Sequence, residues 1–348
     1  MASGSPLQPE ICLGYLSALQ AFALGVRTNQ PITPTRRNVF PSGELRLGHI
    51  DRLCANPCHT DAHQLNREYP SQGLTLPVHF VTSDSTFRRK TPYRHPHSCA
   101  MTLRGSALKR WDDAILLADP ALAFIQEAST RSFADTLLLG FEICGTYQQS
   151  VTAGPTRYHT EPLTSVRKIR NFLKRNPSLH GAARAQQALR YIADGSASPR
   201  ETKAALLLGL PAYYGGYGLG IPRMNFEIMC TPEASTIAGR RTLRCDLFWP
   251  RARMALEYQS REFHTGELSR IRDSRRINAL QSMGLKMIAL TNNELDSLEA
   301  TDVIANTIRK TLGHRFRTTV KDYHRRKLTL RRQLGLPLRP RETFGPGE

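Results

Sequence analysis

Short apolar runs separated by proline, glycine and polar residues mark the first half of the chain. The run ICLGYLSALQAFALGV at 11–26 predicts one helix, and five prolines between residues 31 and 70 indicate loops up to about residue 73. Runs at 76–84, 99–105 and 114–119 predict strands of a small sheet, followed by helices in PALAFIQEAS and SFADTLLLGFEICGTY. We expect an irregular segment over 1–73 and an α+β domain over 74–195.

The end of this α+β domain has the spacing of two helices. Apolar residues recur every three or four positions in two successive sets, which are Leu163, Val166, Ile169 and Leu173, then Ala182, Ala185, Leu189 and Ile192. The pattern predicts a helical pair that connects two domains. The small, polar stretch DGSASP at 194–199 is the expected boundary.

A clearer alternation of elements begins at Ser198. Ser198 as N-cap, Pro199 at the first helical position and Glu201 completing a capping box predict the start of a helix. Strand-like runs follow at 223–230, 242–249 and 254–260, then a basic helix ended by Gly284, a strand in LKMIALT and a final helix. The order α-β-β-β-α-β-α predicts an α/β domain with a mixed sheet over 196–312, followed by a basic C-terminal tail over 313–348.

Two acidic residues face each other in the predicted hairpin of this domain. If the turn is PRAR at 250–253, strand positions whose numbers sum to about 503 lie opposite each other, and Asp246 and Glu257 meet that condition. Their Cβ atoms would be about 5 Å apart on one face, which Gln259 joins. Alternation places the other face toward the core, with Leu243, Cys245, Leu247, Met254 and Leu256.

The paired carboxylates suggest a metal site. Two like charges at this distance repel each other and need a compensating cation. Hard oxygen ligands suit Mg²⁺ (or Mn²⁺), which binds through one or two carboxylates and keeps waters that a substrate phosphate can displace. Such an ion polarises a phosphodiester and generates hydroxide from bound water. The alternative is that the acids form surface salt bridges with Arg244, Arg253 or Arg261.

Charge adds a class of partner to this picture. The formal net charge of +19 creates a field that attracts polyanions, most commonly nucleic acid, although a highly soluble surface is the plain alternative. Residues 309–332 carry ten Lys and Arg against one acid, Asp322. This stretch, with Arg325, Arg326 and Lys327, is either a tail that grips nucleic acid or a solvated helix.

Localisation and zinc are further questions that the sequence addresses. No stretch approaches the roughly 18 apolar residues of a membrane helix, and the start has no basic leader, so we expect a cytoplasmic protein with no membrane contact. The seven scattered cysteines indicate reduced thiols. Zinc-compatible side chains occur in CANPCHTDAH, at Cys54, Cys58, His59 and His63, but their spacing matches no standard finger and ordinary loop residues are the alternative.

The predicted element order and its acids resemble the PD-(D/E)xK nuclease fold, a restriction-endonuclease-like core. EYQSREFH followed by RDSRRINALQSMGLKMIALT resembles the Vsr-like branch, in which a His follows the glutamate and an Asp-x-x-Arg pair opens the next helix. The resemblance covers about 198–312. It implies an endonuclease that cuts DNA by metal-activated water.

The resemblance also implies roles for individual residues. Asp246 and Glu257 would hold the metal with the Tyr258 carbonyl as a third ligand, Glu201 would lie near the site, His264 would orient water or substrate, and Arg276 would contact nucleic acid. Asp273 and Arg276 alternatively pair with one another. Gln259 stands where the wider family has a lysine, and this amide is unable to offset an anion.

A second, weaker resemblance concerns the N-terminal half. LPVHFVT, GFEICGTY and PLTSVRKIRNFL look like the AbiEi-like proteins of type IV toxin-antitoxin systems. These relatives act as antitoxins or transcriptional regulators, which implies a cognate toxin or regulatory partner. Three functions therefore stay open: a Mg²⁺-dependent endonuclease, a catalytically inactive DNA-binding regulator or antitoxin, and a structural or RNA-associated basic protein.

Overall fold

A computed structural model of the protein describes residues 11–28, 31–43, 45, 74–87, 89–151, 155–259, 267–313 and 320–338, except for the side chains of 26–28, 267–270, 272 and 273. The chain divides into two compact units, Met1–Arg190 and Tyr191–Glu348. The boundary expected from the sequence lies a few residues after this division. Both units combine helices with a mixed sheet, so the predicted α/β class is confirmed.

Unit 1 is built on a six-stranded sheet. In chain order its strands are β1 (Ile11–Leu13), β2 (Thr33–Pro34), β3 (Val78–Thr82), β4 (Arg94–Ser98), β5 (Leu108–Arg110) and β6 (Ile115–Ala118). Their spatial order is β2-β5-β6-β1-β3-β4, with β1 parallel to β6 and β3 parallel to β4. A separate two-stranded ladder joins β7 (Tyr147–Gln148) to β8 (Arg157–Tyr158).

Two sequence expectations for unit 1 need correction. The helix predicted over 11–26 is present, but its first residues form the strand β1, and helix α1 begins only at Tyr15, after Gly14, where a Cβ would lie 2.4 Å from a methyl of Val81. The strand expected at 99–105 lies earlier, as β4. Pro96 disguises β4, yet β4 is an edge strand, where a residue without an N–H is tolerated.

Helices cover the unit 1 sheet, and their starts are capped. The helices are α1 (Tyr15–Thr28), α2 (Pro120–Thr130), α3 (Phe133–Ile143), α4 (Val166–Arg175) and α5 (Ala182–Ala188). Asp119, Ser132 and Ser165 each accept a backbone N–H at the first turn of α2, α3 and α4. The strands of β1 and β6 are buried throughout and supply the centre of the core, where each fully buried Leu or Ile contributes about 1.5–3 kcal/mol.

Three histidines share one face of the β3–β4 pair. His79 is the register partner of His95, and His79 Nδ1 lies 3.0 Å from His97 Nε2. The ring of Tyr15 stacks on His97 at 3.7 Å between centroids. Burial, and then neighbouring positive groups, lower the pKa of His79 to about 4 and that of His97 to about 3. Both imidazoles are therefore neutral in the folded protein at neutral pH.

Unit 2 contains a four-stranded mixed sheet of spatial order β12-β11-β10-β9. The strands are β9 (Arg223–Met229), β10 (Thr242–Trp249), β11 (Met254–Gln259) and β12 (Lys286–Thr291), of which β11 and β12 are parallel. The helices are α6 (Pro199–Gly209), α7 (Pro232–Ala238), α8 (Glu267–Ser282), α9 (Asn292–Asp296), α10 (Leu298–Thr311) and α11 (Tyr323–Gln333). The final helix expected from the sequence is divided into α9 and α10, because Ser297 caps a new start.

The predicted basic tail begins as a packed helix. Arg331 of α11 is fully buried and donates to the carbonyls of Leu295, Asp296 and Pro337. Lys327 is also buried, and its ammonium bonds Asp302 at 2.7 Å. Residues 323–333 are thus neither a free tail nor a fully solvated helix.

No helix within the described ranges is long and apolar enough to cross a membrane. The cysteines that the structure describes are free thiols, at positions 12, 99, 144, 230 and 245. Cys54, Cys58, His59 and His63 lie outside the described residues, so the zinc alternative stays a prediction.

The buried histidines predict acid sensitivity. Unfolding returns each imidazole to a pKa near 6.5, so below that pH the unfolded chain binds more protons than the folded one. The free energy of unfolding should therefore fall as pH drops from about 6.5 to 4, by up to about 1.4 kcal/mol per pH unit for each histidine. Denaturant unfolding at several pH values should show a shallower fall for His97→Gln. The matched control is His180→Gln, an exposed histidine of the same unit, and a slope equal in the two variants would contradict the assignment.

Candidate functional site

The hairpin of β10 and β11 has the register expected from the sequence. Leu247 pairs with Leu256, Phe248 with Ala255 and Trp249 with Met254, so partner numbers sum to 503. The next pair in this register is Asp246 with Glu257, and there the backbone ladder between the strands stops. Asp246 Oδ2 instead accepts the Tyr258 N–H at 2.8 Å. The two carboxyl groups therefore lie where the strands begin to separate.

Strict alternation along β10 fails at Asp246. Leu243 and Cys245 share a buried cluster with Phe248 and Ala255, whereas Leu247, Met254 and Leu256, also expected on that face, are buried outside this cluster. The break coincides with Asn225 of β9, which stands opposite Asp246 and has a φ of +44°. Asparagine is among the few residues that adopt this left-handed conformation readily. The kink turns the strand pair at the position of the acid.

Glu201 brings a third carboxyl group toward this position from the start of α6. Asn225 Nδ2 donates to Glu201 Oε2 at 2.7 Å, and the Ala197 N–H reaches the same oxygen at 3.2 Å. Ser198 caps the Glu201 N–H and its hydroxyl donates to Glu201 Oε1 at 2.9 Å, but the backbone N–H that the glutamate accepts is that of Ala197 and not that of Ser198. The backbone half of the expected capping box is therefore shifted by one residue. Burial first, and the charge of Asp246 second, raise the pKa of Glu201 to about 7.

Glu257 is buried and only partly satisfied. It is 7% exposed, and its Oε2 accepts from the guanidinium of Arg276 on α8. Its Oε1 is buried and has no hydrogen-bond partner among the described residues. Burial and then the charge of Asp246 raise the pKa of Glu257 to about 8, although Arg276 opposes this rise. Burial likewise raises the pKa of Asp246, against the Tyr258 N–H and Arg276.

Arg276 is the cation that hydrogen-bonds an acid of the pair, and the charge of Arg244 also acts on Asp246. Its guanidinium also donates to the carbonyl of Arg244 at 2.6 Å, so it is held between β10 and Glu257. The sequence suggested Arg244, Arg253 or Arg261 as partners of the acids. Arg253 instead donates to the Met283 carbonyl, and Arg261 lies outside the described residues. Glu257 therefore pairs with an arginine, but with one from the following helix.

The remaining expected site residues lie at the end of β11, on α11 and outside the described ranges. Gln259 lies two positions beyond Glu257 at the end of β11 and is half-buried. His264 lies outside the described residues, as does the side chain of Asp273. Arg325 is exposed on α11, and Arg326 donates to the Tyr213 carbonyl at 2.9 Å. Lys327, bound to Asp302, would have to exchange that partner for a phosphate.

One contributor to the site was missed by sequence reasoning. Asn225 orients Glu201 and bends β9, and the only local signal was a polar residue inside the apolar run RMNFEIMC. Arg276 was expected to contact nucleic acid and not Glu257. The sequence does not show which arginine of α8 faces the sheet. Both contributions depend on contacts between elements.

The donor set fits a hard divalent cation through two carboxylates. In the part of the chain that the structure describes, no three His, Cys, Asp or Glu side chains converge closely enough to enclose a metal ion. Mg²⁺ needs fewer protein ligands, because it keeps several waters. The buried, unpartnered Glu257 Oε1 beside Asp246 supplies the kind of orphaned acceptor that such an ion satisfies.

Comparison with known proteins finds distant relatives. The chain is 28% identical over 129 residues to an uncharacterized protein of Mycobacterium tuberculosis, found in two strains, and this stretch spans 37% of the chain and 42% of those relatives. No protein-family profile and no solved structure matches the chain. Because these relatives are themselves uncharacterized, the geometry of the site is the basis for assigning a function.

The left-handed Asn225 can be tested by substitution. Asn225→Ala removes the side-chain donor to Glu201. It also places alanine, whose side chain cannot form a local hydrogen bond, in a left-handed backbone conformation. Together these changes should lower the free energy of unfolding by about 2–4 kcal/mol. Asn225→Gly is the matched control, since it loses the same hydrogen bond without the backbone strain. Denaturant unfolding should place Ala about 1 kcal/mol below Gly, and equal stabilities would refute the strain.

The ion pair of Arg276 and Glu257 predicts a specific coupling. Arg276→Met leaves a buried carboxylate beside Asp246 and should lower the free energy of unfolding by about 2–3 kcal/mol, less than for a fully buried pair because the arginine side chain is 32% exposed. Glu257→Gln in the same chain should recover part of this loss. A double-mutant cycle measured by urea unfolding gives the coupling, and strictly additive effects would exclude the pair.

Proposed function

We propose that unit 2 is a metal-dependent endonuclease-like domain that hydrolyses DNA phosphodiesters. The observation that carries this proposal is the Asp246–Glu257 carboxyl pair at the fork of β10 and β11, with Glu257 Oε1 buried and without a partner among the described residues. A pair of carboxylates with raised pKa values holds unfavourable charge that a divalent ion would relieve.

Each of the chain's own residues at this fork would have a separate task. Asp246 and Glu257 hold the ion, with the Tyr258 carbonyl as a third ligand, while Glu201 holds a proton or a water beside them. A bound Mg²⁺ or Mn²⁺ supplies a polarised phosphate and an activated water. His264, as the resemblance implies, orients that water or the substrate.

Arg276 compensates for the uncharged Gln259. Gln259 lies on β11 at the position where the nuclease family that this unit resembles has a lysine, and an amide offers hydrogen bonds without charge. The Arg276 guanidinium stands beside Glu257 from α8, so positive charge reaches the acids from another element. The order α6-β9-α7-β10-β11-α8-β12 supports the restriction-endonuclease-like core proposed for residues 196–312, although α7 stands where the sequence predicted a loop between β9 and β10.

DNA is the substrate class that the charge supports. A net charge of +19 favours a polyanion and gives binding that weakens with salt. Exposed Arg325 on α11 remains available to a phosphate backbone. The proposed location of the protein is the cytoplasm, where DNA is accessible to it.

The contact between Arg276 and Glu257 also favours a second function. A guanidinium bound to Glu257 occupies the place of a cation and, with Gln259 uncharged, is consistent with a scaffold that binds DNA without cutting it. This protein would be a transcriptional regulator or an antitoxin of a type IV system with a cognate toxin. The two functions differ in whether a divalent ion binds at Asp246 and the unpartnered Glu257 Oε1 beside Arg276.

Substitution of the acids separates the two functions. Asp246→Asn and Glu257→Gln should each abolish Mg²⁺- or Mn²⁺-dependent cleavage of duplex DNA, because each removes a ligand charge. DNA affinity in a chelator should persist or improve, since negative charge is lost. Cleavage gels and fluorescence anisotropy measure the two effects.

Glu233→Gln is the matched control, an exposed acid of the same unit. It should cleave like the unchanged protein. If the unchanged protein cuts no DNA with either ion, the hydrolytic function is wrong and the regulator is supported. If cleavage survives in both acid variants, another site carries it.

A further inference from the structure

The helical pair of unit 1 carries positive charge without any acid of its own. From Pro162 to Ala193 the sequence contains no Asp or Glu, and it contains seven Lys and Arg, at positions 167, 168, 170, 174, 175, 184 and 190. All seven are exposed. None forms an ion pair with a carboxylate among the described residues, and Asp119 is the acid whose charge is felt near Lys168. The helical pair is thus a concentrated cationic surface.

The opposite side of the pair is anchored in unit 1. Val166, Ile169, Phe172 and Leu173 of α4 are buried, as are the alanines of α5 at positions 182, 185 and 188. The Asn176 amide exchanges hydrogen bonds with both backbone groups of Arg104 and so fixes the end of α4. The framework that carries the cations is therefore held in place, which reduces the ordering cost of binding a ligand. Arg170 donates to the Leu189 carbonyl at 3.4 Å and Arg184 to the Arg131 carbonyl at 2.6 Å, so a phosphate would share or replace these two contacts.

Gly181 fixes the start of α5 against α2. Its φ is +93°, and a Cβ at this position would lie 2.2 Å from the Ile125 carbonyl oxygen. Only glycine meets both requirements. The close approach sets the position of α5 against α2.

A cleft of about 350 Å³ lies between the two helices. Its polar rim contains Arg170, Lys174 and Arg190, and its floor contains Leu173, Ala182 and Leu189. Arg167, Arg170 and Lys174 follow one face of α4 over seven residues, about 10.5 Å. The cleft therefore lies beside a row of cations.

We propose that the outer surface of α4 and α5, here called the helix-pair surface and defined by Arg167, Arg170, Lys174, Arg184 and Arg190, binds the phosphate backbone of duplex DNA. This proposal rests on DNA as the substrate class of unit 2 and gives unit 1 the task of holding it. The exposed positions of α4 and α5 carry no aromatic or leucine residue of the kind that a membrane-surface helix uses, and apart from Ala183 they are cationic or amide side chains. Charge complementarity therefore favours a polyanion, and DNA is the polyanion proposed as the substrate of unit 2.

The test removes three charges from the cleft. Arg170→Gln, Lys174→Gln and Arg190→Gln are combined in the full chain, and binding to a short duplex DNA is measured by anisotropy in a chelator over a range of salt concentrations. Each lost phosphate contact lowers the slope of log affinity against log salt by about 0.9, so the slope should fall by about 2.7. Affinity at about 0.1 M salt should fall on the order of 10²-fold.

Two controls accompany the triple variant. Arg36→Gln, Arg89→Gln and Lys90→Gln remove three exposed cations from the same unit outside the helix pair and should change the slope by less than one contact. Arg170→Lys with Arg190→Lys keeps the charge and should keep the slope. Thermal unfolding checks that all variants fold, as exposed substitutions change stability by less than about 0.5 kcal/mol.

Equal losses of DNA affinity in the Arg170, Lys174 and Arg190 variant and in the Arg36, Arg89 and Lys90 variant would overturn the proposal, because the effect would then be one of net charge. A loss of affinity for single-stranded RNA without a loss for duplex DNA would also overturn it. Binding in a chelator does not depend on metal-dependent cleavage. Failure of the helix-pair surface is therefore separable from failure of the hydrolytic function.

Discussion

The confinement of like charges in unit 2 is the constraint on which the candidate site depends. Asp246 and Glu257 occupy the next positions of the hairpin register, and the charge of Asp246 raises the pKa of the buried Glu257, because two like charges close together disfavour the ionised form. Glu201 adds a third group whose pKa the Asp246 charge raises. The guanidinium of Arg276, bound to Glu257, and the charge of Arg244 near Asp246 oppose this accumulation. The remaining charge is relieved by a bound proton or by a second cation.

The local structure maintains this accumulation instead of relieving it. Asn225 in a left-handed conformation bends β9 and donates to Glu201, the Asp246 side chain replaces a ladder contact at Tyr258, and α8 delivers Arg276. Each of these features costs conformational freedom or strain. Strain and buried charge that gather at one position are typical of functional sites, where the surrounding fold supports them. Unit 2 thus contains a buried cluster of carboxyl groups that a sheet with only a structural role would not need.

The part of the site that could be predicted is the part set by the chain's own geometry. In an antiparallel hairpin the partner numbers have a constant sum, so the turn at 250–253 alone brought Asp246 opposite Glu257. The identity of the pairing arginine depends on how α8 packs on the sheet, and α8 offers four arginines, at positions 270, 272, 275 and 276. The bend at Asn225 depends on β9 and α6 together. Sequence patterns within one element carry no information on either contact.

The fold, like the site, was predictable where it depends on one element and not where it depends on contacts between elements. The α/β class and the order of the main elements of unit 2 follow from apolar periodicity and caps. The strand β1 was read as part of a helix because its three apolar residues continue the apolar run of α1, and Pro96 hid β4 because proline argues against a central strand. In both cases the position of the strand in the sheet decided the outcome.

Divalent-ion binding by the unchanged chain is the most direct test of the account, since it asks whether the crowded carboxyl groups capture a cation at all. Titration calorimetry with Mn²⁺ should show one strong site per chain that disappears in Asp246→Asn and remains in Glu233→Gln. Saturable Mn²⁺ binding that is indifferent to Asp246, or no binding in the unchanged protein, would contradict the account, because Arg276 and protons would then satisfy the acids.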